Sequence, residues 1–476
     1  MEKISHKTKH ELLETLKNMT DNFKELKNRE LLDPQHFVFL AKCLDKQYEN
    51  IVTVNEGSNK ELEKSHHDII VECLRCLRNA CVECQRNQNM LCNSECVKNI
   101  EKLIVMLTSH PEIKNQETAL RCAVQVLSNA GSGNIATQKI IWDAIFPETL
   151  LTLLKFPDSK VQNYTCMLIY HSITSDVNTL QILQPPGIPL VELILELSTK
   201  ETEQDWCLQI LEELLKSPDL FLQCYGNLND NSKVTLLDIT SALLSNDTDN
   251  ALPSQPFAKE AMNDHQMEET KFDTKIPQLS IDFLAETFEM TLLTGFSADS
   301  STESKQEIYM QIPLLLKVLC LATSNLHVYR PLQNRTSLLV HAVGLLQSSH
   351  LVMSETEKTT SSHLIQTDIH PKHGFKRDLI RLVGNMCFRH KDNQNKIRDL
   401  NGISLLLDNC SIDPHNPFIS QWATLAIRNV CENNLENQRF IEEMKVQGVA
   451  SNSMLQDMGI ETELRDGQVY VKTKSK

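Results

Sequence analysis

The chain has few of the residues on which nucleotide-binding folds and β-proteins depend. Its 476 residues include only 13 glycines, and aromatic residues make up 5% of them. That is too little for glycine-rich nucleotide loops or for sheets packed with aromatic side chains. No stretch approaches the roughly 18 uncharged apolar residues that a membrane span needs. We therefore expect an all-α protein without membrane insertion.

Catalytic motifs are also missing. The patterns H-E-x-x-H and G-x-S-x-G, the P-loop and the kinase signatures do not occur. The sequence GSGN at 131–134 lacks the lysine and the preceding strand that a phosphate loop requires. We therefore expect no enzyme activity and no cofactor.

The chain is acidic, with 62 Asp and Glu against 47 Lys and Arg and a formal net charge of −15. This charge opposes general attraction to nucleic acid or to anionic membranes. The N-terminus enters an amphipathic helical pattern without an apolar signal core. We expect a cytoplasmic protein that binds no nucleic acid and keeps its cysteines reduced.

What the chain does have is a repeat. An asparagine is followed, eight and nine residues later, by a polar residue and a glutamine in the same apolar frame. The four instances begin at Asn79, Asn129, Asn385 and Asn429. The intervals are 50, 256 and 44 residues, and the long one is roughly six units of about 43, in the armadillo and HEAT range. We predict a right-handed superhelical solenoid, a class of protein that binds other polypeptides.

The repeat signal is uneven along the chain. Residues 1–245 are predicted to be N-terminal helices and armadillo-like repeats, and 246–277 a flexible acidic connection. Degenerate helical repeats are expected at 278–374, with a loop at 354–374. The clearest repeats begin at 375, and residues 375–476 end in a pattern that alternates around Asp466-Gly467. That pattern predicts a β-hairpin that caps the last repeat.

The asparagine of the motif stands inside a helical pattern, where its propensity is poor. Two explanations are open. In the structural one, the amide bonds to the loop backbone of a neighbouring repeat and fixes the stacking angle. In the functional one, amides at equivalent positions form a ladder that bonds to the backbone of an extended peptide. In the third repeat His171 stands where the asparagine is expected.

Two segments resemble the inner third helix of armadillo repeats, A-x-x-A-L-x-N-L, and the loop and helix that follow it. They are ATLAIRNVCENNLENQ and NQNKIRDLNGISLLLDNC. Beyond this generic pattern, ECLRCLRNACVECQRNQ and MGIETELRDGQVYVKTKSK resemble the ataxin-10 family. The resemblance is dense over 71–145 and 375–476 and loose in between.

The resemblance implies a non-catalytic scaffold with several cellular roles. They are neuron survival and neuritogenesis through Ras–MAP kinase signalling, stimulation of protein O-GlcNAc glycosylation, and cytokinesis. It implies a G-protein β subunit, O-GlcNAc transferase and mitotic kinases as partners, and self-association into a homo-oligomer. It also implies a cytoplasmic, perinuclear location with the midbody, the centriole and the cilium basal body.

An armadillo transport adaptor that binds extended cargo peptides is the alternative. Such adaptors carry a tryptophan four residues before each asparagine, which sandwiches lysine stems. The corresponding residues here are Arg75, Gln125, Arg381 and Leu425. Trp422 lies seven residues before Asn429. This departure from the adaptor pattern weakens the transport hypothesis.

Basic residues accompany the motif. Arg75 and Arg381 each stand four residues before an asparagine and share its helix face, and Arg377 lies one turn earlier. We predict that these arginines, together with the four asparagines, contact a partner, and that segment 376–398 forms a basic patch for an acidic surface. The alternative is that the arginines pair with local Asp and Glu.

Six cysteines fall within 24 residues, including two C-x-x-C pairs. They are Cys73, Cys76, Cys81, Cys84, Cys92 and Cys96. Zinc sites use knuckle loops, whereas VECLRCLRNACVEC is a continuous helical pattern. We therefore predict buried structural thiols and no metal, with a metal or redox site as the alternative.

Overall fold

The computed structural model of the chain describes most of its length. The described ranges are 9–52, 60–110, 116–173, 176–200, 205–251, 276–295, 302–356, 374–411, 418–444, 460–465 and 468–473. Within them the chain is α-helical, with one short β-hairpin near its end. This confirms the predicted all-α class and the hairpin.

Fourteen helices occupy the described residues up to 251. They are α1 (Lys9–Asn22), α2 (Leu26–Glu30), α3 (Gln35–Val52), α4 (Lys60–Cys81), α5 (Gln85–Cys92), α6 (Cys96–Ser109), α7 (Gln116–Gly131), α8 (Ile135–Ile145), α9 (Glu148–Lys155), α10 (Ser159–Ser172), α11 (Asp176–Ile182), α12 (Ile188–Ser198), α13 (Asp205–Leu215) and α14 (Asp230–Ala251). A π-helical turn at Leu220–Cys224 and a 3₁₀ turn at Tyr225–Asn227 precede α14.

Nine helices follow in the described residues from 276 onwards. They are α15 (Gln278–Gly295), α16 (Thr302–Ser324), α17 (Leu326–Tyr329), α18 (Thr336–Thr356), α19 (Phe375–Cys387), α20 (Lys391–Asp399), α21 (Gly402–Asp408), α22 (Ile419–Cys431) and α23 (Leu435–Glu442). A 3₁₀ turn at Arg330–Asn334 precedes α18. Strands β1 (Ile460–Arg465) and β2 (Gln468–Thr473) close the series, antiparallel, with Arg465 opposite Gln468.

The helices form two compact units. The first contains α1 to α13, α14 up to Leu243 and α15 up to Phe283, and the second contains the remaining helices and the hairpin. Helix α14 runs to Ala251, so the connection predicted from 246 begins as helix, and that prediction is wrong for 246–251. Helix α18 likewise continues through 354–356. Residues 252–275 and 357–373 of these predicted segments lie outside the described residues.

In each unit, helices that hold equivalent positions in successive repeats pack against one another in series. In the first unit α1, α4, α7, α10 and α13 contact one another in that order, and α3, α6, α9 and α12 form a second series. Helices α2, α5 and α8 form a third. In the second unit α16, α19 and α22 are consecutive neighbours, with α18 beside α21 and α20 beside α23. This is the three-helix repeat of an armadillo-type solenoid.

The four motif asparagines all lie in the first of these series. We call α1, α4, α7, α10 and α13 the amide layer of the first unit, and α16, α19 and α22 the amide layer of the second. The helices of these layers are predicted by apolar residues spaced three and four positions apart. In α22 the buried apolar residues are Ile419, Ala423, Ala426 and Val430. Full burial of one aliphatic side chain stabilises the fold by about 1.5–3 kcal/mol.

Small residues set the distance between α19 and α22. A Cβ atom placed on Gly384 would lie 2.9 Å from the Cβ of Ala426 and 3.0 Å from its Cα. Both residues are buried. Only glycine therefore allows the backbones to approach this closely, which brings the side chain of Asn429 within reach of the main chain of α19.

Candidate functional site

The motif asparagines bond to the neighbouring helix of the amide layer. The side-chain amide of Asn129 donates to the main-chain carbonyl of Arg78 at 3.1 Å, and that of Asn429 donates to the carbonyl of Gly384 at 2.9 Å. Each acceptor directly precedes the asparagine of the previous repeat. The same bond therefore recurs in both units.

The other two asparagines do the same with less regular partners. Asn79 donates to the carbonyl of Thr20 at 3.0 Å, and Asn385 donates to the carbonyl of Cys320 at 3.3 Å and the hydroxyl of Ser324 at 3.2 Å. The acceptors lie in or at the end of helices of the preceding repeat. The structure therefore shows the bond to a neighbouring repeat that the structural explanation requires. The acceptors are not the predicted loop backbone, because the packed amide-layer helices bring helix carbonyls closest.

The glutamine of the motif bonds in the opposite direction along the chain. Gln88 donates to the carbonyl of Asn129 at 2.9 Å, and Gln394 donates to the carbonyl of Asn429 at 2.9 Å. Both glutamines are buried. Helices α7 and α22 are therefore each bonded twice to the preceding repeat. Their own asparagine bonds backward, and the glutamine of the preceding repeat bonds forward, which fixes the stacking of these repeats.

The polar residue before the glutamine forms a hydrogen bond within its own repeat. In three repeats it is an asparagine that donates to the carbonyl seven residues earlier, as Asn393 does to Met386 at 2.9 Å. In the remaining one, Thr137 donates to Ala130 at 2.6 Å. This bond ties the short helix after the turn to the end of the amide-layer helix.

A further position of the motif was missed by the sequence reasoning. In two repeats the residue five after the asparagine is itself an asparagine that caps the next helix. Asn134 accepts from the main-chain nitrogen of Thr137, and Asn434 accepts from that of Asn437. Their amides also donate to Gln88 and Gln394, at 3.1 and 3.2 Å. The five-residue offset shared by these two repeats and the N-cap preference of asparagine were the available signals.

The third repeat replaces the amide bond with aromatic packing. His171 lies with its ring centre 5.8 Å from that of Trp206 of the next amide-layer helix, and Tyr170 lies 5.4 Å from Trp206. Burial lowers the pKa of His171. The neutral ring therefore serves as a packing group where the other repeats use an amide.

Arg75 lies on the amide layer of the first unit and is paired. Its guanidinium is 3.2 Å from the carboxylate of Glu72, one turn earlier. Both residues line a recess of about 260 Å³, whose other walls are Leu13, Lys17, His67, Asp68, Val71 and Thr118. All eight side chains come from α1, α4 and α7. The recess therefore offers charges of both signs on one face of the layer.

Several arginines of the predicted basic patch are neutralised locally. Arg377 lies 2.8 Å from Asp378, whose carboxylate raises the pKa of the guanidinium, and Arg398 lies 2.9 Å from Glu436. For these residues, as for Arg75, the alternative of local pairing is what the structure shows. Arg381 differs: its guanidinium carbon is 4.8 Å from the centre of the Trp422 ring.

The cysteine cluster lies in the packed core where α4, α5 and α6 meet. Five of the six thiols are buried, and Cys92 is half-buried. Burial raises the pKa of Cys76 to about 12 and that of Cys96 to about 11. No three metal-binding side chains come together in the ranges that the structure describes.

Helix length and hydropathy bear on the membrane question. Among the described residues no single helix is long and apolar enough to cross a bilayer. The segments Met310–Ser324 and Leu326–Asn334 pass such a test together, but they are bent by 88° at their junction.

The chain has close relatives of known family. It is 33% identical to ataxin-10 of Homo sapiens over 468 residues, which is 97% of this chain and 94% of that protein. The chain belongs to the ataxin-10 family. Ataxin-10 of Xenopus tropicalis is 32% identical over 96% of this chain and 91% of its own length. Residues 375–472 match the family described as the spinocerebellar ataxia type 10 protein domain.

Other similarities are partial. An ataxin-10 homolog of Dictyostelium discoideum is 50% identical over 88 residues, 18% of this chain and 14% of that protein. Among solved structures, an engineered protein aligns with 90% of this chain and 97% of its own, at a TM-score of 0.38 and 14% identity. A designed armadillo repeat protein in complex with the peptide (KR)4 aligns with 82% and 99%, at 0.26 and 10%. Likeness at these scores says nothing about function.

Proposed function

We propose that this member of the ataxin-10 family is a non-catalytic scaffold that binds other polypeptides on its amide layers. The observation that carries the proposal is the recess between α1, α4 and α7, which is lined by Lys17, Asp68, Glu72 and Arg75. A mixed-charge hollow on a rigid helical layer suits an extended segment that carries charges of both signs. The repeated asparagine amides hold neighbouring helices of each layer together by hydrogen bonds.

The internal bonds change the role of the asparagines in this proposal. Each has an amide donor engaged with the preceding repeat. They therefore position the layer, while direct contact falls to side chains such as Arg75 and Arg381. That the asparagines also touch a partner remains a prediction.

The transport-adaptor alternative is less well supported. An adaptor needs open tryptophan faces for the aliphatic stems of cargo lysines. Here Trp422 packs against the chain's own Arg381, and Trp206 packs against Tyr170 and His171. Both rings are therefore already engaged within the chain, which leaves less aromatic surface for such cargo.

Family membership supports the finer roles, which we also propose. They are neuron survival and neuritogenesis through Ras–MAP kinase signalling, stimulation of O-GlcNAc glycosylation, and cytokinesis. The proposed partners are a G-protein β subunit, O-GlcNAc transferase, mitotic kinases and a second copy of this chain. The proposed locations are the perinuclear cytoplasm, midbody, centriole and basal body.

Photo-crosslinking tests the binding surface. A crosslinking amino acid at Thr118 lies in the recess, whereas one at Lys139 lies on an exposed helix outside the layer. We expect polypeptide adducts from Thr118 that disappear when Arg75→Glu is added, while adducts from Lys139 are unaffected. Equal capture from both positions, or no effect of Arg75→Glu, would argue against the recess as the binding site.

Complementation tests the cellular roles. In cells depleted of the protein, wild-type chain should restore completion of cytokinesis, neurite length and O-GlcNAc level. Arg75→Glu should fail in those roles that need a partner in the recess, whereas Lys139→Glu should restore all of them. If wild-type chain restores none of the three, the finer roles do not belong to this protein.

A further inference from the structure

Arg381 is fixed in place on the amide layer of the second unit. One terminal nitrogen donates to the hydroxyl of Ser324 at 2.9 Å, and the guanidinium lies over the ring of Trp422. Ser324 belongs to α16 and Trp422 to α22, so α19 presents this arginine between its two neighbours. The hydrogen bond to Ser324 is exposed, which leaves this part of the group accessible from the surface.

Arg381 is held without a counter-charge in the part of the chain that the structure describes. The other three arginines of segment 376–398 have one each: Arg377 pairs with Asp378, Arg389 lies 3.9 Å from Glu432, and Arg398 pairs with Glu436. Asp378 stands one turn before Arg381, but its carboxylate is bonded to Arg377. The Nε of Arg381 is buried and has no hydrogen-bond partner there.

The first unit shows that this position can be neutralised internally. Arg75 stands four residues before Asn79, as Arg381 stands four before Asn385, and each has an acidic residue three positions earlier. Glu72 pairs with Arg75, whereas the shorter Asp378 pairs with Arg377 instead. The arginine at this repeat position therefore has a carboxylate partner in the first unit and none among the described residues of the second.

We infer that Arg381 receives an anionic side chain of a polypeptide bound on the amide layer of the second unit. The inference rests on the proposed function. A half-buried guanidinium without a counter-ion gains charge-assisted hydrogen bonds from an incoming anion. Trp422 and Ser324 already fix its orientation, so little freedom is lost on binding. The net charge of −15 disfavours a nucleic-acid polyanion and favours an isolated acidic residue.

A random peptide library displayed on phage tests the inference with the full chain. Wild-type protein should enrich peptides with an acidic residue at a fixed position. Arg381→Gln should lose that preference, whereas Arg389→Gln, which removes the same charge from an exposed neighbour, should keep it. If Arg381→Gln perturbs the fold, Arg381→Lys is the second variant. It retains the charge without the planar fork and should keep the preference at roughly tenfold lower affinity.

Synthetic peptides then identify the anionic group. A selected peptide carries glutamate, phosphoserine or glutamine at the acidic position. We expect glutamine to weaken binding to wild-type protein by roughly tenfold or more, and to have no effect on binding to Arg381→Gln. Tighter binding of phosphoserine than of glutamate assigns a phosphorylated side chain, and the reverse order assigns a carboxylate. Equal affinity of all three overturns the inference.

The outcomes separate this inference from the proposed function. Peptides that bind without an acidic preference, or whose preference survives Arg381→Gln, overturn the role of Arg381 and leave the scaffold proposal intact. If no peptide is enriched on wild-type protein, the inference and polypeptide binding by this layer fail together.

Discussion

The side-chain amide of Asn429 donates to the main-chain carbonyl of Gly384, 2.9 Å away on the adjacent helix. Gly384 is also the residue whose missing Cβ lets the two helices approach. Two residues 45 positions apart therefore set both the distance and the register between α19 and α22. The predictions below follow from this arrangement and its equivalents.

Asn429→Ala should loosen the contact between α19 and α22. The change removes the donor and leaves an alanine at a buried position, at a cost of about 1–2 kcal/mol. Hydrogen–deuterium exchange of these two helices should then accelerate roughly 5- to 30-fold. Gln421→Ala, at an exposed position of the same helix, should leave exchange within twofold of wild type. Equal effects of the two changes would show that the amide bond does not hold the helices together.

Gln394 and Gln438 occupy the same motif position with different surroundings. Gln394 is buried and donates to Asn429 and Glu432 of the next repeat, whereas Gln438 is exposed and donates to Cys431. Gln394→Ala should lower the free energy of unfolding of the second unit by about 1–3 kcal/mol, and Gln438→Ala by under about 1 kcal/mol. Urea denaturation of both variants measures the difference. A larger loss for Gln438→Ala would contradict the bridging role of Gln394.

Two glycine-to-alanine changes should have opposite signs. At Gly384 the new Cβ meets Ala426 at 2.9 Å, so overpacking should destabilise the protein by about 1–3 kcal/mol. At Gly344, in α18, no atom beyond its chain neighbours and the nearby helix backbone lies within 4 Å of the new Cβ, so alanine should stabilise the helix by about 0.5–1 kcal/mol. Thermal unfolding measured side by side tests both. A stable Gly384→Ala variant would mean that the helices can separate without loss.

Alkylation should divide the cysteines by burial. Only the thiolate reacts, and burial raises the pKa of Cys76 to about 12 and that of Cys92 to about 12, so little thiolate forms at pH 8. Cys410 is exposed and should react first, faster as pH rises, because partial burial and Asp408 also raise its pKa. Mass spectrometry of native protein treated with iodoacetamide gives the order. A cluster thiol that reacts as fast as Cys410 would revive the redox alternative.

Much of the fold could be predicted from the sequence because its signals are local. Apolar steps of three and four residues set the helices, as with Ile419, Ala423 and Ala426 in α22. Apolar residues that alternate with polar ones on either side of a tight turn predicted the hairpin. The helical extension to Ala251 was missed because residues 246–250 are polar, and a polar stretch lacks the periodicity by which a helix is recognised.

The candidate site could be predicted only in part. Spacing placed Arg75 and Arg381 on the same face as their asparagines, because residues four apart share a helix face. Spacing could not show that the carboxylate of Glu72 would pair with Arg75, whereas that of Asp378 would pair with Arg377. That choice depends on side-chain reach and on which neighbour lies nearest, and both are set by packing.

The sequence by itself determined the repeat, the helical class and the motif position of Asn429, because periodicity and propensity act within a few residues along the chain. Only the tertiary structure decided that Asn429 bonds to Gly384 and that Trp422 lies beneath Arg381. Those pairs are separated by about forty residues, and the distance between their helices depends on every side chain packed between them.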